Sequence, residues 1–469
     1  MIGWAHAFVE GVNWLVLGYF LCMNTFYLVL LLLSSIELRD YLRRLSYGDY
    51  DLMLRDPHTP EVSVLMPAYN EAVNIAVSVR GVLNLNYPNF QVIVINDGSK
   101  DETLSALRAA FSLVETDRVL SEVLPTRSIR AVYRSLTVPN LVVIDKENGG
   151  KADALNAGIN ASRTAYFLSA DADIILEEDA LLRVMRPILD DPNRVVAVGG
   201  IVRVANGCKV KNSRIERPML PRRALPMFQI VEYLRAFLGG RTGFSAINGL
   251  LIISGAFGVF SKKWALAAGG YRTDTVGEDM ELVLSMHCLL REMKVDYRVV
   301  FIADPVCWTE VPDSLSILSR QRRRWQRGLM EALRLHRKML FSPRYGILGL
   351  VSYPFFYFFE GWGPLVEALG YVSVMLSWWY GWVNTPFALA FLTMSVLLGM
   401  MISICAVLLE EFTFRKYPRW TDLARMAFYA LIENFCYRQL NTFFRCLGLW
   451  DYLRDTKGWG VMKRRGLGG

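Results

Sequence analysis

Residues Val12 to Ile36 run for 25 positions without a formal charge, and Ala368 to Leu409 is likewise uncharged. These stretches constrain the chain more than any other feature. About 20 apolar residues in a helix, at about 1.5 Å each, cross a hydrocarbon core of about 30 Å. Gly346 to Glu367 is also apolar apart from Glu360 and Glu367, so two or three crossings are expected between 346 and 409. No Lys or Arg precedes Arg39, so the basic start of a cleavable signal is missing and an uncleaved anchor is expected. Arg39, Arg43 and Arg44 follow that anchor, which predicts a cytoplasmic location for the next domain. Trp378, Trp379, Tyr380 and Trp382 crowd together as an aromatic belt would.

Composition fits this division. Apolar residues make up 53% and charged residues 20%, which excludes wholesale disorder and a fibrous repeat. The middle, roughly 55 to 340, reads as an aqueous domain. The net charge of +8 gathers at Arg39 to Arg44, Arg320 to Arg344 and Arg454 to Arg465, beside the apolar segments. That placement points to a cytoplasmic membrane surface and away from nucleic acid. The seven cysteines are scattered with no Cys-x-x-Cys, which reads as free thiols in a reducing compartment. The four histidines show no metal-ligand spacing.

Three segments invite a membrane reading beyond simple crossings. Asn434, Arg438, Asn441 and Arg445 make one polar stripe on an otherwise apolar helix predicted over Thr421 to Trp450. Basic flanks on both sides favour a helix lying in the interface, with a channel-facing crossing as the rival. Glu360 and Glu367 would mark a segment end at the headgroups or the wall of a polar channel. Met227 to Phe237, apolar with Glu232 and Arg235, is expected to be an amphipathic helix on the membrane.

Within the aqueous domain, Val62 to Met66, Gln91 to Ile95, Leu141 to Ile144, Ala165 to Leu168 and Val195 to Val198 read as strands covered on both faces. Helices are predicted over Glu71 to Leu83 and Thr103 to Leu113. Alternating strand and helix predicts a parallel α/β sheet, whose ligands bind beyond the carboxyl ends of the strands. Polar residues collect at those ends: Tyr69-Asn70-Glu71, Asn96-Asp97-Gly98-Ser99 and Asp171-Ala172-Asp173. Asn148-Gly149-Gly150-Lys151 lacks P-loop spacing, and no Gly-x-Gly-x-x-Gly follows a strand. Asp117 to Val138 is polar and basic and reads as an insertion between a helix and a strand.

Seven motifs in order carry a resemblance. They are Val64-Leu65-Met66-Pro67-Ala68-Tyr69-Asn70-Glu71, Val94-Ile95-Asn96-Asp97-Gly98-Ser99, Asn148 to Asn156, Ser169-Ala170-Asp171-Ala172-Asp173, Ser254-Gly255-Ala256-Phe257-Gly258, Gly277-Glu278-Asp279 and Gln321-Arg322-Arg323-Arg324-Trp325. Together they resemble the processive, membrane-embedded family 2 glycosyltransferases, the cellulose, hyaluronan, chitin and poly-N-acetylglucosamine synthases. The resemblance covers about residues 60 to 330. It implies a GT-A type Rossmann-like cytoplasmic domain over 46–340, an anchor over 1–45, and transmembrane or interfacial helices with a basic tail over 341–469.

The resemblance also implies a division of labour. Asp173 would hold Mg²⁺ or Mn²⁺, since these ions take one or two carboxylates and share phosphate oxygens, and Asp171 would contact the donor's ribose or the metal. Tyr69, Glu71 and Asp97 would hold the nucleoside. Lys151 would counter the diphosphate charge, joined by Gln321 and Arg324. Asp279 is the candidate general base, with Glu278 as its alternative in the Gly-Glu-Asp element. Trp325 would stack on the acceptor sugar, and Phe257 would touch the acceptor's end or pack the core. Arg322 and Arg323 read as a basic cluster at the membrane surface.

The expected activity is inverting, metal-dependent transfer from a UDP-sugar, N-acetylglucosamine or glucose, to a growing β-linked polysaccharide that leaves through the adjoining helices. The expected setting is multi-pass in a bacterial inner membrane, with an accessory export or regulatory subunit as a partner. Two alternatives stay open: a non-processive enzyme that makes a glycolipid, and an inactive nucleotide-binding scaffold.

Overall fold

The computed structural model describes residues 2–47 and 50–454. The basic run beyond Arg454 lies outside the described residues. Residues 43–219 and 248–311 form a sheet unit, while 220–247 and 312 onward group with the N-terminal helix in a helical unit.

The sheet unit is built on ten strands: β1 (Val62–Ala68), β2 (Phe90–Asp97), β3 (Leu113–Glu115), β4 (Ile129–Ser135), β5 (Leu141–Lys146), β6 (Tyr166–Ala170), β7 (Ile175–Leu176), β8 (Val195–Val204), then, after a separate hairpin of β9 (Lys209–Lys211) and β10 (Arg214–Arg217), β11 (Phe257–Ser261) and β12 (Arg298–Thr309). The order across the sheet is β3-β4-β5-β2-β1-β6-β11-β8-β12-β7. All five predicted strands form. Every residue of β5 and β8 is buried, as strands covered on both faces require.

The sheet is mixed, which corrects the parallel reading. β5, β2, β1 and β6 run parallel, but β11 is antiparallel to both β6 and β8, and β4 is antiparallel to β5 and β3. An isolated apolar run such as Phe257–Ser261 carries no signal of its direction. Part of the expected insertion is β4, and the helix predicted to reach Leu113 stops at Phe111, where β3 soon begins. The helix expected from Glu71 starts at Ile75.

The helical unit opens with a helix over Ile2–Tyr47. Val16, Phe20 and Met23 are buried on it and pack with Phe359, Val366, Phe391 and Met394. By length and composition two helices among the described residues could cross a membrane, His6–Arg43 and Thr385–Thr413. The stretch after Gly346 is instead a series of short turns, with π-helical segments at Leu348–Ser352 and Phe356–Gly361, before the helix Gly363–Trp379.

The helix predicted over Thr421 to Trp450 is two, Trp420–Ile432 and Tyr437–Leu453. Its polar stripe faces protein. Arg445 donates to Gln326 Oε1 (2.8 Å) and Glu360 Oε2 (2.9 Å), and Arg438 donates to Asn434 Oδ1 (3.3 Å). Glu360 also accepts from Tyr27, and Glu367 from Thr442 (2.7 Å). Both acids therefore have partners on other helices. In the helix Ala224–Leu234 and the π-helical turn that follows, Glu232 and Arg235 are paired inside this unit. Glu232 accepts from Arg322 and from Tyr437 (2.7 Å each), and Arg235 pairs with Glu433 and donates to Ser403 (2.8 Å).

Candidate active site

The strand-end clusters converge within the sheet unit. β6 ends at Ala170, so Asp171 leaves at its carboxyl end. β11 runs the other way and pairs Phe257 with Ala170, so the residues before β11 meet the residues after β6. The Asp171 N–H donates to Ala256 O (3.3 Å). Lys151, the first residue of the helix Lys151–Ala161, reaches both segments: Nζ lies 2.5 Å from Asp171 Oδ1 and donates to Gly255 O (2.9 Å).

Asp279 closes the group. It sits at the start of the helix Glu278–Glu292, where its Oδ2 accepts from the Gly255 N–H (2.9 Å) and its Oδ1 from the Met280 N–H (2.8 Å). A Cβ on Gly255 would come within 3.2 Å of both Asp279 Oδ2 and Lys151 Nζ, so the glycine lets the cluster close. Lys151, Asp171 and Asp279 thus share one locus around Gly255. Burial pushes the Lys151 ammonium down, but Asp171, Glu278 and Asp279 outweigh it and hold the group above the ordinary lysine range. Lys151 is therefore cationic at neutral pH, as a counter-charge must be.

Asp97 organises a second cluster beside the first. Its Oδ1 accepts from Lys146 Nζ (2.8 Å) and the Gly149 N–H (3.0 Å), and its Oδ2 from the Gly150 N–H (2.8 Å) and Asn148 Nδ2 (3.2 Å). Four donors occupy the roughly four acceptor sites of a carboxylate. Asp97 therefore holds the turn Asn148 to Lys151 itself. Gly150, at φ +88°, supplies the backbone shape that starts the helix.

The loops after β1 and β2 are stitched together. Asn70 N–H donates to Ser99 Oγ (3.0 Å), Lys100 N–H to Asn70 Oδ1 (2.8 Å), Glu71 N–H to Thr103 Oγ1 (2.9 Å) and Ala72 N–H to Asp101 Oδ2 (3.1 Å). Tyr69 stands 44% exposed among them, which leaves its ring accessible. Asp173 lies two residues beyond Asp171. Burial first, and then the charges of Asp171, Asp173 and Glu177, push the Cys307 thiol well up, so a negative field surrounds this turn.

Some expectations are corrected. Phe257 is 0% exposed on β11, so its ring packs the core rather than facing an acceptor. Arg322 is no surface cation: it is buried against Glu232, with its guanidinium also 4.4 Å from the Trp325 ring centre. Arg323 makes a two-pronged pair with Asp451 (2.7 Å each). Gln321, Arg324 and Trp325 lie on the helix Leu315–Leu335 of the helical unit, with Trp325 43% exposed. Sequence reasoning gave no individual role to Gly255 and Asp153, which lie inside two of the motifs, and missed Lys146. The signal for Lys146 was a charge ending the apolar run of β5.

Residues 63–246 match the family described as glycosyl transferase family 2, and residues 218–413 match glycosyl transferase family group 2. The chain carries family 2 glycosyltransferase domains. This glycosyltransferase is 27% identical over 273 residues to a poly-beta-1,6-N-acetyl-D-glucosamine synthase of Staphylococcus epidermidis, covering 58% of this chain and 55% of the relative. It is 28% identical over 276 residues to the synthase of the same name from Staphylococcus aureus, with the same coverage. The chain spans about half the length of these curated relatives. A mannosyltransferase of Pyrobaculum calidifontis, solved with GDP-Man and Mn²⁺, superposes with a TM-score of 0.52 at 17% identity, over 90% of this chain and 99% of that one. The likeness is one of fold, and it supports the GT-A-like architecture with a mixed sheet.

Proposed function

We propose that this glycosyltransferase moves a sugar, N-acetylglucosamine or glucose, from a UDP-sugar to a growing β-linked polysaccharide, with inversion at the sugar carbon. The observation that carries this reading is the meeting of Lys151, Asp171 and Asp279 around Gly255. Such transfer needs charge relief on the leaving diphosphate and a base for the acceptor hydroxyl, held in line with the sugar carbon. Lys151 would supply cationic charge to the diphosphate. Asp279 would take the acceptor proton on a carboxylate already oriented by two backbone N–H groups. Tyr69 and Glu71 would hold the nucleoside, and the turn built on Asp97 would present Lys151 to the diphosphate. No second carboxylate is needed as a nucleophile, which favours inversion.

The oxygen donors present fit a hard divalent cation. Among the described residues no group of three or more His, Cys, Asp or Glu gathers as a closed metal site. Two carboxylates at one turn suit an ion that takes its other ligands from phosphate and water. Asp173 and Asp171 would hold Mg²⁺ or Mn²⁺, which would supply further neutralisation of the diphosphate when bound. The relatives are named as polysaccharide synthases, which favours polymer as product. The two candidate spans suit a multi-pass membrane enzyme with its sheet unit in the cytoplasm, and the polar helical interior suits sugar export.

The second reading is single transfer to a lipid, which a small number of spans favours. One assay tests both: membranes containing the full chain are given labelled UDP-N-acetylglucosamine or UDP-glucose and the products are sized. Long chains support the first reading. Products of one or two sugars sink it and support the second. Turnover that survives EDTA would remove the metal from the reaction.

A further inference from the structure

Lys146 does no chemistry in the scheme above, yet it is 0% exposed at the end of β5. An ammonium has three N–H donors, and all three are used. They reach Asp97 Oδ1 (2.8 Å), Asp153 Oδ1 (2.5 Å) and the Glu147 carbonyl (2.5 Å). Asp153 belongs to the first turn of the helix Lys151–Ala161, and it also accepts from the Arg127 N–H (3.0 Å), just before β4. One cation thus ties the end of β2, the end of β5, the approach to β4 and the start of that helix.

The turn Asn148 to Gly150 is clamped between the two acids. Asp97 grips the amides of Gly149 and Gly150. Asp153 fills the space where a Cβ on Gly149 would sit, with its carboxyl atoms 2.5 Å from that point. Lys151 follows immediately, and its Nζ is the group that joins Asp171 to Gly255. A shift of this turn would carry Lys151 with it. Burying a charge is costly unless it is paired and hydrogen-bonded, so this lysine is retained in a dry site only with both acids opposite it.

We infer that Lys146, through Asp97 and Asp153, is a positioning residue that locks the Asn148–Lys151 turn in the shape that binds the donor diphosphate. The donor part of this inference rests on the proposed function. The triad carries one positive and two negative charges. Lys146→Met removes the cation and leaves two buried carboxylates facing each other, so it will disturb folding as well as the turn. Lys146→Met with Asp153→Asn returns the net charge to that of the native triad but lacks the tether. This pair separates positioning from charge balance.

The test uses the full chain in detergent and two measurements. Hydrogen exchange of the peptide containing Gly149 and Gly150 reads the lock without any ligand. Calorimetric titration with UDP reads its consequence. In the double variant we expect a melting temperature near that of the native chain, exchange of those amides faster by about tenfold or more, and a UDP dissociation constant raised about tenfold. Asp153→Asn alone should shift both readings in the same direction by less. A double variant with native exchange and native UDP affinity would overturn the inference, because charge balance alone would then explain the triad. Parallel loss of all structure in the three variants would also overturn it, since Lys146 would then act on folding rather than on the turn. A native chain that fails to bind UDP would sink the donor reading instead, and the exchange measurement would still decide the lock.

Discussion

The two units hold their charges by different means. In the sheet unit the candidate base is gripped by backbone: Asp279 by the amides of Gly255 and Met280. Asp97 likewise draws two of its four donors from the amides of Gly149 and Gly150. In the helical unit, partners are side chains on other helices: Arg322 with Glu232 and Tyr437, Arg445 with Glu360 and Gln326, Arg235 with Glu433. A helix satisfies its own amides internally, so charges between helices must find one another. Strand-end loops have amides to spare. The sheet unit can therefore orient a carboxylate for chemistry, while the helical unit spends its charges on mutual neutralisation.

Substitutions can break this contrast, and the largest effect is expected at the base. Asp279→Asn keeps an acceptor for the Gly255 amide, gives up the one for the Met280 amide and removes the candidate base, so kcat should fall about 10² to 10⁴-fold with only a small drop in melting temperature. Labelled-sugar turnover at saturating donor checks this. Unchanged turnover would move the base to Glu278. In the helical unit, Arg322→Ala should act on stability instead, by about 3 to 5 kcal/mol, because it strands Glu232. Thermal unfolding in detergent measures it, and adding Glu232→Gln should recover part of the loss. A drop in turnover without a drop in stability would contradict the contrast.

A smaller effect belongs to the sheet unit's own buried imidazole. His287 is fully buried, with Nε2–H donating to Leu250 O (2.8 Å) and Nδ1 accepting from the Tyr297 hydroxyl (2.7 Å). Burial pushes its pKa from 6.5 to about 4. The unfolded chain takes up the proton below about 6.5, whereas the folded chain resists until about 4. Its stability contribution is thus full above 6.5 and is lost as pH falls through that window, by up to about 3 kcal/mol. Unfolding midpoints followed from pH 7 to 4 should fall, and His287→Gln should flatten the fall. The smallest expected change is Gly98→Ala, at about 1 to 2 kcal/mol. Gly98 has φ +65°, and a Cβ there would meet the Asn148 amide nitrogen at 2.6 Å. Melting temperature reads the cost, and a neutral result would show that the turn at Asn148 yields.

The same contrast explains what could be read in advance. The strands were legible because β1, β2, β5, β6 and β8 are apolar runs covered on both faces. The acids of the site were legible because they sit in short motifs, Asp97 and Asp171 at strand ends and Asp279 at a helix start. β4 was hidden because Ile129–Ser135 mixes charged and apolar residues inside a polar stretch. The direction of β11 was hidden because pairing, not composition, sets it. The helical charges looked like surface or headgroup cations, since Arg322 meets Glu232 across 90 residues and Arg445 meets Glu360 across 85. Only packing brings such partners together. Lys146 was missed for the same reason, because its acids lie on other elements.

The position of β11 between β6 and β8 has a consequence for biosynthesis. When a ribosome has delivered β8, neither of its neighbours, β11 and β12, has yet been made, and β8 has no partner in the sheet. The chain first writes the helical excursion of residues 220–247 and only then supplies β11. Translation past Ser261 is therefore the earliest moment at which β6 and β8 can be joined, and until β12 follows the far edge of β8 needs shelter from other nascent chains.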